Sequence, residues 1–94
     1  MPVVGFLSIE LYFPGLRSLK EKRSLLKSLK DRLRKLNVAI AEVDHQGLWQ
    51  RARLGVVAVS VARDGVDRSL DPAVGEIDRQ DSGLIVNTAI DWLS

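Results

Sequence analysis

Cysteine is absent from this chain, which removes disulfides, thiolate zinc sites and cysteine nucleophiles. Histidine and methionine occur once each, so metal and redox chemistry have few side chains to draw on. Long apolar runs are missing too. Runs such as 56–59 and 84–86 fall far short of the roughly 20 residues that a membrane-crossing helix needs. Residues 1–5 carry no basic stretch of the kind that opens a signal peptide. There is no repeat, no Pro/Gly/Ser-rich linker and no low-complexity tract. A single domain over residues 1–94 is expected, cytoplasmic and without a membrane partner.

What is present is an ordinary globular composition, 46% hydrophobic and 28% charged, with the charge unevenly placed. The net charge is only +2. Yet residues 17–36 hold nine cations (Arg17, Lys20, Lys22, Arg23, Lys27, Lys30, Arg32, Arg34, Lys35) against Glu21 and Asp31. Residues 64–82 hold six acids against Arg68 and Arg79. The basic block is an electrostatic footprint suited to phosphate or an acidic partner, unless the acidic block neutralises it.

Residues 3–13 alternate, with Val3, Gly5, Leu7, Ile9, Leu11 and Phe13 forming a wholly apolar side, the pattern of a strand on a core. Pro14-Gly15 breaks it. Ser18-Leu19-Lys20-Glu21 then has the form of a capping box: the Ser18 hydroxyl accepts from the Glu21 amide, and the Glu21 carboxylate reaches back to the Ser18 amide. Leu19, Leu26, Leu29, Leu33 and Leu36 make one helical stripe, and Lys20, Arg23, Lys27, Lys30, Arg34 and Lys35 gather opposite it. Asn37 is the expected left-handed terminator.

A second strand is predicted over 38–44, a polar loop over 45–50 and an apolar central strand over 52–63. Asp64-Gly65 is the predicted turn. Val66, Leu70, Val74 and Ile77 then suggest a helix, in which Pro72 predicts a kink or a restart with Asp71 as N-cap. Ser82-Gly83 ends that helix, and 84–93 is the last strand. The order β-α-β-β-α-β predicts an α+β, ferredoxin-like sandwich: a four-stranded antiparallel sheet, order 4-1-3-2, with two helices on one face.

Lys22 is out of place, because its helical angle falls inside the leucine stripe. It either snorkels past the core edge or takes a buried carboxylate, with Asp44, Glu10 or a carboxylate elsewhere as candidates. Glu42, Asp44 and His45 suggest a metal or acid–base cluster, but strict alternation puts both carboxylates on the sheet face away from His45. Trp49 reads as a cap on the sheet edge or as a binding anchor. The open sheet face, assigned Val4, Phe6, Val38, Ile40 and Val56 together with Glu10, Glu42, Asp44 and Asp91, is too acidic for stacking RNA and better suited to a protein partner or a second copy of the chain. No nucleophile–base pair and no glycine-rich phosphate loop of the acylphosphatase kind appears, so neither an enzyme nor a cofactor or small-molecule substrate is expected.

Two stretches carry a resemblance. Ser18-Leu19-Lys20-Glu21-Lys22-Arg23-Ser24 looks like an SLKxKR signature, and residues 41–52 (AEVDHQGLWQRA) resemble an AE-x-D followed by LWQ. Both are similar to the YlxP-like family of small bacterial proteins, DUF503, and the likeness weakens after Asp64. The resemblance implies a ferredoxin-like fold and an accessory role around RNA or the ribosome, from a gene neighbourhood that includes a ribosome-maturation factor and an initiation factor. It implies no catalytic residue. Arg17, Lys20, Arg23, Lys27, Lys30 and Arg34 are therefore the candidate RNA- or anion-binding residues, and Lys22, Asp44, His45 and Trp49 the candidate signature site. The alternative function is a homo-oligomeric interaction module using the open face.

Overall fold

A computed structural model describes residues 1–79 and 84–93. The elements are β1 (Val3–Tyr12), α1 (Leu19–Leu33), β2 (Ala39–Asp44), β3 (Arg51–Ser60), α2 (Arg63–Asp78) and β4 (Leu84–Trp92). The strands form one antiparallel sheet in the order β2-β3-β1-β4. This is the predicted ferredoxin-like βαββαβ arrangement with the predicted strand order. Among the described residues, no helix is long and apolar enough to cross a membrane.

The alternation of β1 carries into the core. Leu7, Ile9, Leu11 and Phe13 are buried beside Ala52, Leu54, Val56 and Ala58 of β3, beneath Leu26, Leu29 and Leu33 of α1 and Val66, Leu70, Ala73 and Ile77 of α2. Gly5 belongs to the same row for a steric reason. A Cβ there would lie 2.6 Å from Val66 Cγ1, so the absent side chain lets α2 descend onto β1. The opposite face of the central strands carries Val4, Phe6, Ser8, Glu10 and Tyr12 of β1 and Arg51, Arg53, Gly55, Val57 and Val59 of β3.

Several expectations need correction. Val38, Ile40 and Val56 face the helices and pack on the core, because the branched side chains of the second strand, not its alanines, turn inward. Ser18 Oγ does accept from the Glu21 amide at 3.1 Å, but the Glu21 carboxylate reaches one residue further back, to the Arg17 amide at 3.3 Å. Asn37 is not left-handed; among the described residues it is His45 that has a positive φ. Helix α1 instead closes with short turns, the amides of Lys35 and Leu36 donating to the Arg32 and Leu33 carbonyls.

The third strand stops at Ser60, so Asp64-Gly65 lies inside α2, where the Asp64 carboxylate meets the positive end of the helix dipole. The helix neither restarts at Asp71 nor breaks at Pro72. Val66, Leu70, Ala73 and Ile77 keep one face buried across the proline. Full burial of Val66, Leu70 and Ile77 is worth about 1.5–3 kcal/mol each, which exceeds the ~3 kcal/mol that an interior proline costs. The predicted stop at Ser82-Gly83 falls outside the described residues.

Pro72 is exposed, so its ring contributes no core packing to offset the carbonyl that it leaves without a helical donor. Pro72→Ala is expected to raise the unfolding free energy by up to ~3 kcal/mol, measured as a higher urea midpoint at constant slope. An unchanged or lower midpoint would show that the helix is already relaxed around the ring.

Candidate functional site

Ser18 starts α1, and one turn later the chain commits a lysine to the interior. Lys22 is 1% exposed. Its Nζ lies 2.8 Å from Glu42 Oε2, 2.6 Å from the His45 carbonyl oxygen and 2.7 Å from the Leu48 carbonyl oxygen. Two of the three N–H donors of the ammonium are hydrogen-bonded to carbonyls, and its charge is paired with Glu42. This overturns the snorkelling expectation, and the buried carboxylate is one elsewhere in the fold, since neither Asp44 nor Glu10 reaches Lys22. An ammonium so enclosed is a structural tie rather than a ligand-binding group.

The partner went unforeseen because β2 does not alternate to its end. Its register against β3 shifts between Glu42 and Asp44, so Glu42 points to the helices while Asp44 pairs with Arg53 on the opposite face. His45 follows with φ 64°, a left-handed residue that turns the chain into the 45–50 loop. The Asp44 carboxylate accepts from the His45 amide at 2.8 Å, and the Leu48 amide donates to the His45 carbonyl at 3.0 Å. From there the loop is fastened on both flanks. Lys22 holds the Leu48 carbonyl, while the Gln50 amide donates to the Pro14 and Leu16 carbonyls at 3.2 and 3.1 Å. Leu48 and Trp49, between the two fastenings, stand 48% and 51% exposed. Trp49 is therefore displayed and does not cap the sheet.

On the open face His45 Nε2 is hydrogen-bonded to Glu10 Oε1 at 3.1 Å, and its Nδ1 lies 3.9 Å from Asp44. Arg53 Nη2 donates to the same Glu10 oxygen at 3.0 Å, and its Nη1 lies 3.6 Å from Asp44. Burial pushes the Glu10 carboxyl up, yet the hydrogen bonds and charges of His45 and Arg53 together outweigh it and hold the group below the usual range. Glu42, Asp44 and His45 do not converge: they are distributed over two faces. Among the described residues, no three carboxylate or imidazole groups stand close enough to bind a metal.

The basic residues of α1 sort by angle. Arg23, Lys27, Lys30 and Arg34 fall within about 60° of arc. They line a groove of about 320 Å³ with Leu26 and Glu42, between α1 and the β2 edge. Arg34 also contacts Asp31 at 3.0 Å in an exposed pair of little energetic weight. The acidic second helix lies on the other flank. Glu76 feels α1 from there: its hydrogen bond to Arg79 lowers its pKa first, and the charges of Arg32 and Lys35 add to that. Arg17 and Lys20 are exposed at the start of α1, leading into the row. The six candidate cations therefore lie along one helix, whereas Lys22, Asp44, His45 and Trp49 separate into a buried tie, an open-face cluster and a displayed ring.

Comparison with known proteins decides the family. The profile described as "Protein of unknown function (DUF503)" matches residues 4–90. The chain belongs to the DUF503 family. The "Uncharacterized protein YlxP" of Bacillus subtilis (strain 168) is 38% identical over 77 residues, covering 81% of this chain and 84% of that protein. In this DUF503 chain the two signature stretches are halves of one joint, because Lys22 from the first grips Glu42, His45 and Leu48 from the second.

Removing the ammonium strands a largely buried carboxylate and two carbonyls. Lys22→Met is expected to cost about 3–5 kcal/mol in chemical denaturation. Adding Glu42→Leu to it is expected to recover a substantial part, as a double-mutant cycle would report. A loss in the double variant equal to the sum of the two single losses would show that the pair is not coupled.

Proposed function

We propose that this protein is a non-enzymatic accessory factor of the cytoplasm that holds RNA by its phosphates, in the groove between α1 and β2. The observation that carries this reading is the row Arg23, Lys27, Lys30 and Arg34, four cations on one flank, of which, among the described residues, Arg34 alone contacts a carboxylate, Asp31, in an exposed pair, while the acid that lines the groove, Glu42, is paired with Lys22. The acids of 64–78 lie on the other helix. A pitch of 1.5 Å per residue spreads the row over about 16 Å, room for several consecutive phosphates. Such contacts read backbone and charge rather than sequence.

The test is filter binding of ribosomal RNA across a salt series. Four neutralised phosphates on single-stranded segments give a slope of log K against log salt of about −3, and Lys27→Ala makes it shallower by ~0.7. Affinity indifferent to salt, or unchanged when Arg23, Lys27, Lys30 and Arg34 are all replaced by Ala, rejects the reading.

A second reading, a homo-oligomeric interaction module, has one observation in its favour. On the open face Phe6 lies over Gly55, where a Cβ would come within 2.9 Å of its ring. Val43, Val57, Ala39 and Ala41 surround it in an apolar strip. In sedimentation, a dimer of the unaltered chain that becomes a monomer with Phe6→Glu is the outcome expected of that reading. A monomer in both cases removes it.

A further inference from the structure

The arch over residues 45–50 has a second concave surface that the phosphate groove does not use. A cleft of about 390 Å³, within the range of small-molecule sites, is lined by Tyr12, Gly47, Leu48, Trp49, Gln50 and Arg51. Tyr12 and Arg51 are cross-strand partners at the ends of β1 and β3, so their side chains share the open face. Trp49 joins them from the arch. Gln50 has its side-chain amide committed to the Pro14 and Leu16 carbonyls. Tyrosine, tryptophan and arginine, with the exposed Leu48 beside them, are the chemistry that remains in the cleft.

We infer that this cleft seats an unpaired nucleobase, stacked between Trp49 and Tyr12 and flanked by the Arg51 guanidinium. The inference rests on the RNA reading above and narrows it to RNA with a single-stranded segment.

Three observations converge on a base. First, the exposed area is aromatic and planar rather than aliphatic alone. Every base offers a π-face to such a surface, and a guanidinium can lie on a base plane or meet its phosphate. Secondly, the platform is built in advance. Trp49 sits between the Leu48 carbonyl held by Lys22 and the Gln50 amide held on residues 14 and 16, so little freedom remains to be lost when a ligand arrives. A half-exposed tryptophan costs free energy in water, and fastening it on both sides does not hide it. Thirdly, the arch stands by the amino end of α1. It is tied to Lys22, whose neighbour Arg23 is the first cation of the row. A strand held on Arg23 that rounds the sheet edge at the arch would turn a base out onto Trp49. A duplex keeps its bases paired and presents no free face there.

The open-face carboxylates nearest to this end do not oppose such a ligand. Glu10 is paired with His45 and Arg53, and Asp44 lies against Arg53, whereas no ion pair engages Arg51 among the described residues.

The experiment titrates the full chain with a 12-nucleotide oligouridylate and with a 12-base-pair RNA duplex at one fixed salt concentration. Trp49→Leu, which retains apolar bulk but not the ring, is expected to weaken oligouridylate binding roughly 5- to 150-fold. Duplex affinity and the salt slope should stay unchanged, and Trp49→Phe should restore most of the loss. In a Trp92→Phe background, Trp49 emission should be quenched by the oligouridylate and not by the duplex. Unaltered binding by Trp49→Leu, or equal weakening toward both RNAs, overturns the base site, marks the cleft as a protein contact and leaves the phosphate groove standing. Failure of the unaltered protein to bind either RNA overturns the groove and the base site together.

Discussion

A single buried ammonium organises the functional end of this molecule. Taking a lysine out of water costs several kcal/mol, and attraction to one carboxylate repays that only when the geometry is close and the remaining protons are satisfied. Lys22 has Glu42 at 2.8 Å as its ion-pair partner and donates to the carbonyl oxygens of His45 and Leu48 at 2.6 and 2.7 Å. A pair of hydrophobic residues would fill the same space at no lower stability, but it would not select these backbone atoms. Three contacts with three points on one segment specify its path. The lysine fixes where β2 ends, how the chain turns at His45 and how high the arch stands.

The charge pattern follows from the same contact. Glu42 is the acid that lines the α1–β2 groove, and without Lys22 its charge would sit among Arg23, Lys27, Lys30 and Arg34. Because the buried lysine pairs with it, Glu42 is not the partner of the surface row, in which, among the described residues, Arg34 alone has its own exposed contact, with Asp31. On the acidic helix, Glu76 is paired with Arg79 and feels the charges of Arg32 and Lys35 rather than those of the groove row.

What could be read from the residues divides along physical lines. The capped start of α1, its leucine stripe, the apolar side of β1 and the strand order depend on local periodicity and chain connectivity, and these were legible. The inward choice of Val38 and Ile40 over Ala39 and Ala41 was also available, since larger branched side chains gain more from burial. The bulge between Glu42 and Asp44 was not available. Alternation has no means of announcing one extra residue, and that residue moves Asp44 to the other face and brings His45 to Glu10. Pro72 misled for the opposite reason. The local rule was sound, and a row of buried side chains across α2 outweighed it. Among the site residues, the α1 cations were found by periodicity, whereas the partner of Lys22 and the display of Leu48 depended on tertiary contacts between residues more than 20 positions apart.

The arch gives these parts a common logic. A chain that wanted only a stable turn between β2 and β3 could close it in a few polar residues, with no lysine spent in the core and no tryptophan left half in water. Here the turn is anchored from beneath by α1 and from the side by Gln50, and what it gains is a fixed, exposed Leu48-Trp49 pair. Rigidity and exposure are opposed demands on a hydrophobic side chain, because contacts that hold a ring usually also cover it. Fastening the flanking backbone and leaving the ring free satisfies both. The invested interactions lie in main-chain carbonyls rather than around the indole. That arrangement favours display over packing as the purpose of the arch.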